Sequence, residues 1–228
     1  MRYYYGMEDQ SQPGWQLIVF DRPKSLIFDT LMLYNLLSLH LHADIRTLTQ
    51  NAKDKLEADP TFVPREKYLK AREQREESTR AWVDSTTVRR ALCHATNILV
   101  SYSGLSRLDE NQADPIAYVA LSVAALVVWT YCTNCREGCP ACSSDAHILA
   151  YCNAPVVELT RWSGLKTTQS FEKDREAWIE MDCCRGAITG IVLCRCNIDL
   201  LVAKFRGCIR DEWNVADTIA PGIFKPKT

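Results

Sequence analysis

The chain has 228 residues, 47% of them apolar and 24% charged, which is enough to bury a sizeable core in one large domain. Its 27 basic residues almost cancel its 28 acidic ones, for a formal net charge of −1. No overall field therefore draws nucleic acid or an acidic membrane, and any phosphate-gripping residues must form a local patch or lie outside this chain.

The eleven cysteines are odd in number, and the opening MRYYYGMEDQ lacks the basic segment and continuous apolar run of a secretory signal. Both features predict a reducing compartment with most thiols unbridged. Cys93, Cys152, Cys194 and Cys208 sit among apolar neighbours and are expected to be buried as small hydrophobes.

In chain order, KSLIFDTLMLYNLLSLHLH (24–42) carries apolar residues in almost every direction of a helical wheel, which predicts a helix packed on several sides. Asp21 and Pro23 suit its entrance. Asp44 is the expected N-cap of a second helix, with Ile45, Leu48, Ala52 and Leu56 on one face. Residues 59–84 mix acidic and basic side chains and read as a solvated helix or connecting segment.

STTVRRALCHATNILVSY (85–102) is the clearest amphipathic helix. Val88, Ala91, Leu92, Ala95, Ile98, Leu99 and Tyr102 form its stripe, and Arg89, Arg90, Cys93 and Asn97 lie off it. Ser85 or Asp84 would cap its start and Gly104 would end it. From Pro115 to Cys135 no charged residue occurs. The apolar part proper, Ile116 to Trp129, is short for a membrane span, is built largely of Ala and Val, and has no flanking Lys/Arg cluster, so a buried soluble helix is expected and no membrane partner. A cysteine loop at 132–142 follows, then a helix-like FEKDREAWIEMD (171–182) and a mixed stretch at 183–208. Gly186 and Gly190 count against a helix there. With no sustained period-two alternation, the fold class predicted is all-α, a bundle-like single domain over 1–228 with a less regular helical tail from 143.

Three segments in order carry a resemblance: DTLMLYNLLSLHLHADIRTLTQNAK (29–53), TRAWVDSTTVRRALCHATNIL (79–99) and PIAYVALSVAALVVWTY (115–131). This core, about 24–131, resembles the C-terminal half of the fungal-specific regulatory (middle-homology) domain of zinc-finger transcription factors. There an LLSLHLHA-type helix leads into a second helix, a tryptophan precedes an aRRAl-HA helix, and a helix closing on LW-Y follows. The matching positions are Leu36 to Ala43, Trp82, Arg89 to Ala95, and Val128 to Tyr131. The resemblance implies a non-enzymatic nuclear regulator of transcription by RNA polymerase II, with transcription-machinery proteins or a second copy as partners. DNA binding and zinc would belong to an N-terminal finger that these residues do not contain; no cysteine pair precedes His40 and His42, the histidines nearest each other.

The chemically suggestive groups give no catalytic, cofactor or metal assignment. His40 and His42 diverge by about 200° on a helix and cannot share a metal. His94 reads as a hydrogen-bonded or partly exposed imidazole, and Glu172, Asp174 and Glu176, interleaved with Lys173 and Arg175, read as a wet helix face. Cys132, Cys135, Cys139 and Cys142 form two C-x2-C pairs only three residues apart, too close for ordinary zinc knuckles, although His147 lies near enough to complete a site. The CPAC at 139–142 has a redox frame but no surrounding β-α-β pattern to hold a reactive thiolate. A loop of thiols is expected, with a cysteine-based metal or redox protein as the alternative.

Overall fold

A computed structural model describes residues 14–56, 65–105, 115–134, 156–160, 169–180, 185–209, 215–220 and 222–224. Five long helices come first: α1 (Gly14–His42), α2 (Ile45–Leu56), α3 (Arg65–Val83), α4 (Thr86–Leu105) and α5 (Pro115–Asn134). Then follow β1 (Val156–Glu158), α6 (Gln169–Glu180), β2 (Arg185–Ile188), β3 (Ile191–Val192), a 3-10 turn at Arg195–Asn197, α7 (Ile198–Arg206) and α8 (Val215–Ile219). The protein is an all-α, multi-helix domain with one small sheet.

Helix α5 is the centre. Every residue from Ala120 to Cys132 is buried, and α1, α2, α3, α4, α7 and α8 all touch it. A helix apolar all round reaches this state only when surrounded. By length and composition α5 could also cross a membrane, but 83% of its most apolar window is buried against the rest of the protein. Small residues at 117, 120, 124 and 125 let neighbouring helices approach closely. A tilted aromatic ladder, Phe28 to Tyr102 at 6.2 Å and Tyr102 to Tyr118 at 6.3 Å, joins α1 and α4 to it.

Helix α1 starts ten residues before the predicted segment and runs through Pro23. Proline removes one intrahelical bond and tends to kink a helix, but it need not end one. The expectation that α1 packs on several sides is also corrected. Met32, Asn35, Ser38, Leu39 and Ala43 are buried on one side, whereas Leu26, Ile27, Leu33, Tyr34, Leu37 and Leu41 are exposed. Asp44 caps α2 as predicted: its carboxylate accepts from the Thr47 amide at 3.2 Å and the Thr47 hydroxyl at 2.7 Å. These bonds, the hydroxyl first, hold its pKa below the ordinary aspartate value. Leu56, placed with the buried face of α2, is instead exposed at the helix end.

The tail departs from a purely helical reading. Strand β1 pairs parallel with β2, and β2 pairs antiparallel with β3, Ile188 opposite Ile191. These strands are two to four residues long, too short for alternation to show in sequence. The β2–β3 turn has Thr189 at φ 50° and Gly190 at φ 76°, the two positive values that a type I′ hairpin requires. Glu158 clamps it, accepting from the Thr189 amide at 3.0 Å and the Gly190 amide at 2.7 Å. Gly186 is glycine for a steric reason: a Cβ there would lie 2.8 Å from Cζ2 of the fully buried Trp178.

Because the Trp178 ring has no room to retreat, Gly186→Ala should destabilise the protein by about 1–3 kcal/mol, the usual range for overpacking a filled core. Chemical denaturation of the variant, with far-ultraviolet circular dichroism as readout, measures this.

Candidate functional site

Trp82, His42 and His94, three of the residues behind the resemblance, meet at one corner where α1 ends. Trp82, at the end of α3, donates its indole N–H to the His42 carbonyl at 2.8 Å, satisfying one of the orphan carbonyls of the α1 C-terminus. His42 stacks on His94 of α4 with ring centroids 5.7 Å apart, and Tyr34 meets His94 edge-on at 6.0 Å. The His94 Nδ1 lies 3.0 Å from the buried Asn35 Oδ1, so the hydrogen-bonded imidazole expected for His94 is what the fold contains. His40 points to solvent and borders an open depression of about 680 Å³ lined by residues 40–46.

Electrostatics keep His94 neutral. Burial, then the Arg175 guanidinium, then His42 push the His94 pKa down to about 4. Burial also raises the neighbouring Cys93 thiol above its ordinary value, so it stays protonated and unreactive. His42 and His94 offer two nitrogens, but among the described residues no three His, Cys, Asp or Glu side chains converge as metal ligands.

Two side chains placed off the α4 stripe are buried. Cys93 packs in the core, and Arg89 donates to the Trp178 carbonyl at 3.0 Å with its guanidinium 6.0 Å from the Trp178 ring centre. Helix α6 covers this side of α4, and a wheel cannot register a neighbour that arrives ninety residues later. On α6, Lys173, Asp174 and Glu176 are exposed, in keeping with a wet face, while Arg175 is half-buried; the Glu172 side chain lies outside the described residues.

The sequence reading passed over a buried ionic cluster between α2 and α3. The Asp54 carboxylate, with 1% of its side chain exposed, receives Arg75 at 2.6 and 2.7 Å, the Tyr68 hydroxyl at 3.1 Å and the Gln50 amide at 3.3 Å. Beside it Asn51 donates to Thr79 at 3.1 Å. An acid on the inner face of α2 and Arg75 and Thr79 at i, i+4 on an otherwise wet α3 were the available signals. The Asp54 carboxylate is fully engaged, whereas Asn51 Oδ1 is buried without a hydrogen-bond partner among the described residues, so the cluster locks two helices and leaves one acceptor unsatisfied.

Of the cysteine loop, only Cys132 is described, a buried thiol in the last turn of α5; Cys135, Cys139, Cys142 and His147 lie outside the described residues. Among the described residues β1, α6 and β2 form a parallel β-α-β unit. CPAC comes before this unit in the chain, so the unit does not surround it. Cys93 and Cys194 are buried thiols and Cys208 is half-buried, while Cys152 is outside the described residues. Cys196 is disulfide-bonded, and its sulfur lies 3.4 Å from the Cys194 sulfur.

Two predictions follow from these partners. Asp54→Ala should cost about 2–4 kcal/mol in urea denaturation, because it leaves the half-buried Arg75, 22% of its side chain exposed, without its counter-charge, and Asp54→Leu combined with Arg75→Met should recover most of that loss. His94 is neutral when folded but binds a proton near pH 6.5 when unfolded, so its contribution is present above pH 6.5 and lost as pH falls toward 4. Allowing for partial exposure, wild type should lose about 1–2 kcal/mol more than His94→Asn between pH 7 and 4, measured by denaturation at each pH. Comparison of the chain with family models, with characterised proteins and with solved structures finds no match.

Proposed function

We propose that this chain is a non-enzymatic, all-helical regulatory domain of a fungal-type zinc-finger transcription factor, acting in the nucleus on transcription by RNA polymerase II. The observation that carries the reading is the convergence of the quoted segments. Trp82 bonds the end of the LLSLHLHA helix, and the histidine of the RRALCHA helix stacks on that same end. The helix ending VWTY packs against both. The three quoted segments thus pack against one another within one core, which supports reading them as parts of one domain.

In this proposal the domain supplies no DNA contact of its own. Its near-zero net charge fits that division, since phosphate binding would belong to a zinc finger outside these residues. The domain would instead bias partner contacts through its helical surfaces.

Fusing the chain to an unrelated DNA-binding domain tests this in a fungal reporter strain. Nuclear localisation of the fusion, and reporter expression changed relative to the DNA-binding domain alone, are the expected results; an inert fusion overturns the reading. The alternative is a cysteine-based metal or redox protein centred on residues 132–142. Metal analysis separates the two readings. Purified protein should carry no stoichiometric zinc or iron, whereas metal that is lost in a Cys135→Ser, Cys139→Ser variant would favour the alternative.

A further inference from the structure

We infer that the outer face of α1 is a homodimer interface, occupied by the same face of a second copy of this chain. The inference rests on the shape and chemistry of the surface and not on the transcriptional reading. Ile27, Tyr34 and Leu41 recur every seven residues, with Thr30 and Leu37 between them, and Leu26 and Leu33 flank the row. Spacing of three and four residues is the pattern of a helix–helix seam, and here it covers an arc of about 120° along about 24 Å of helix.

The six apolar residues of this face are 45 to 81% exposed. From these fractions the residues expose roughly 650 Å², at the top of the range for the largest patch on an ordinary monomer, about 300–600 Å². Complete coverage of two such faces would remove at most about 1,300 Å² from water, the low end of the class of stable, specific interfaces.

Charge decides the occupant. Asp29 is the only Asp, Glu, Lys or Arg between Leu26 and His42, and it is half-buried. A charged partner or a nucleic acid therefore finds nothing to pair with on this face. A second apolar stripe of the same length and period is its complement, and two identical stripes related by a two-fold axis meet without like-charge repulsion.

Sedimentation velocity of the intact chain between about 1 and 100 µM tests the proposal, because a dimer dissociates with dilution. The expected species has twice the 25.9 kDa mass of the chain. Leu37→Glu and Leu41→Glu should weaken association by roughly 30-fold or more, the effect of losing a central anchor. Leu69→Glu and Leu200→Glu, at exposed leucines away from the stripe, should leave it unchanged. Circular dichroism confirms folding, and the milder Leu37→Ser serves should either glutamate variant unfold. A wild-type chain that stays monomeric at the top concentration, an assembly of another size, or a dimer that survives the stripe variants overturns the proposal.

Discussion

The structure depends on one constraint, the need to surround α5. Two of its hydroxyls bond back to its own backbone, Ser122 to the Tyr118 carbonyl at 2.7 Å and Thr133 to the Trp129 carbonyl at 2.6 Å, while the Thr130 hydroxyl is buried without a partner among the described residues. A helix with no charged side chain and no polar face has nothing to offer water. α1 and α4 cover one part of it, α2 and α3 another, and α7 and α8 close the remainder. The C-terminal region is held to this centre rather than to a core of its own, since buried residues from Met32 to Ile223 form one cluster.

That constraint explains how the polar contacts are distributed. Lys55 reaches from α2 to Asn134 at 2.7 Å, and Thr49 donates to the Ile219 carbonyl at 3.0 Å, so each closes a helix around an end of α5. Asp54 with Arg75, and Arg89 with Trp178, fix the outer helices in register. Apolar contacts alone tolerate sliding, whereas a buried charge has one acceptable partner position, and misplacing it costs several kcal/mol. In this fold the greasy helix determines that the others assemble, and the buried polar pairs determine how.

The parts legible in sequence are those whose signals are local. The Asp44 cap, the α4 stripe and the unbroken apolar run of α5 depend on residues a few positions apart, and the all-α class follows from them. The hairpin was hidden because its stability comes from Glu158, thirty-one residues before Thr189, and from the approach of Gly186 to Trp178. Burial of Arg89 and Cys93 was hidden for the same reason. The corner at His42 and His94 was half legible: the histidines were noted one at a time, but their stacking needs the two helices to be placed.

Helix α1 shows where apolar composition misleads. Like α5 it is apolar around most of its circumference, and the sequence treats the two alike, yet among the described residues only α5 is enclosed on all sides. Solvent-facing α3 shows the usual treatment of an outer surface, with Glu66, Lys67, Lys70, Glu73 and Glu77 exposed along it. Exposed apolar residues elsewhere, such as Leu69 and Leu200, stand singly, as on any globular surface. On α1 they are contiguous, periodic and free of intervening charge, a pattern that leaves apolar surface in water with no compensating hydration. Within one fold, two water-facing helices have thus been given opposite chemistry, charged along α3 and apolar along α1.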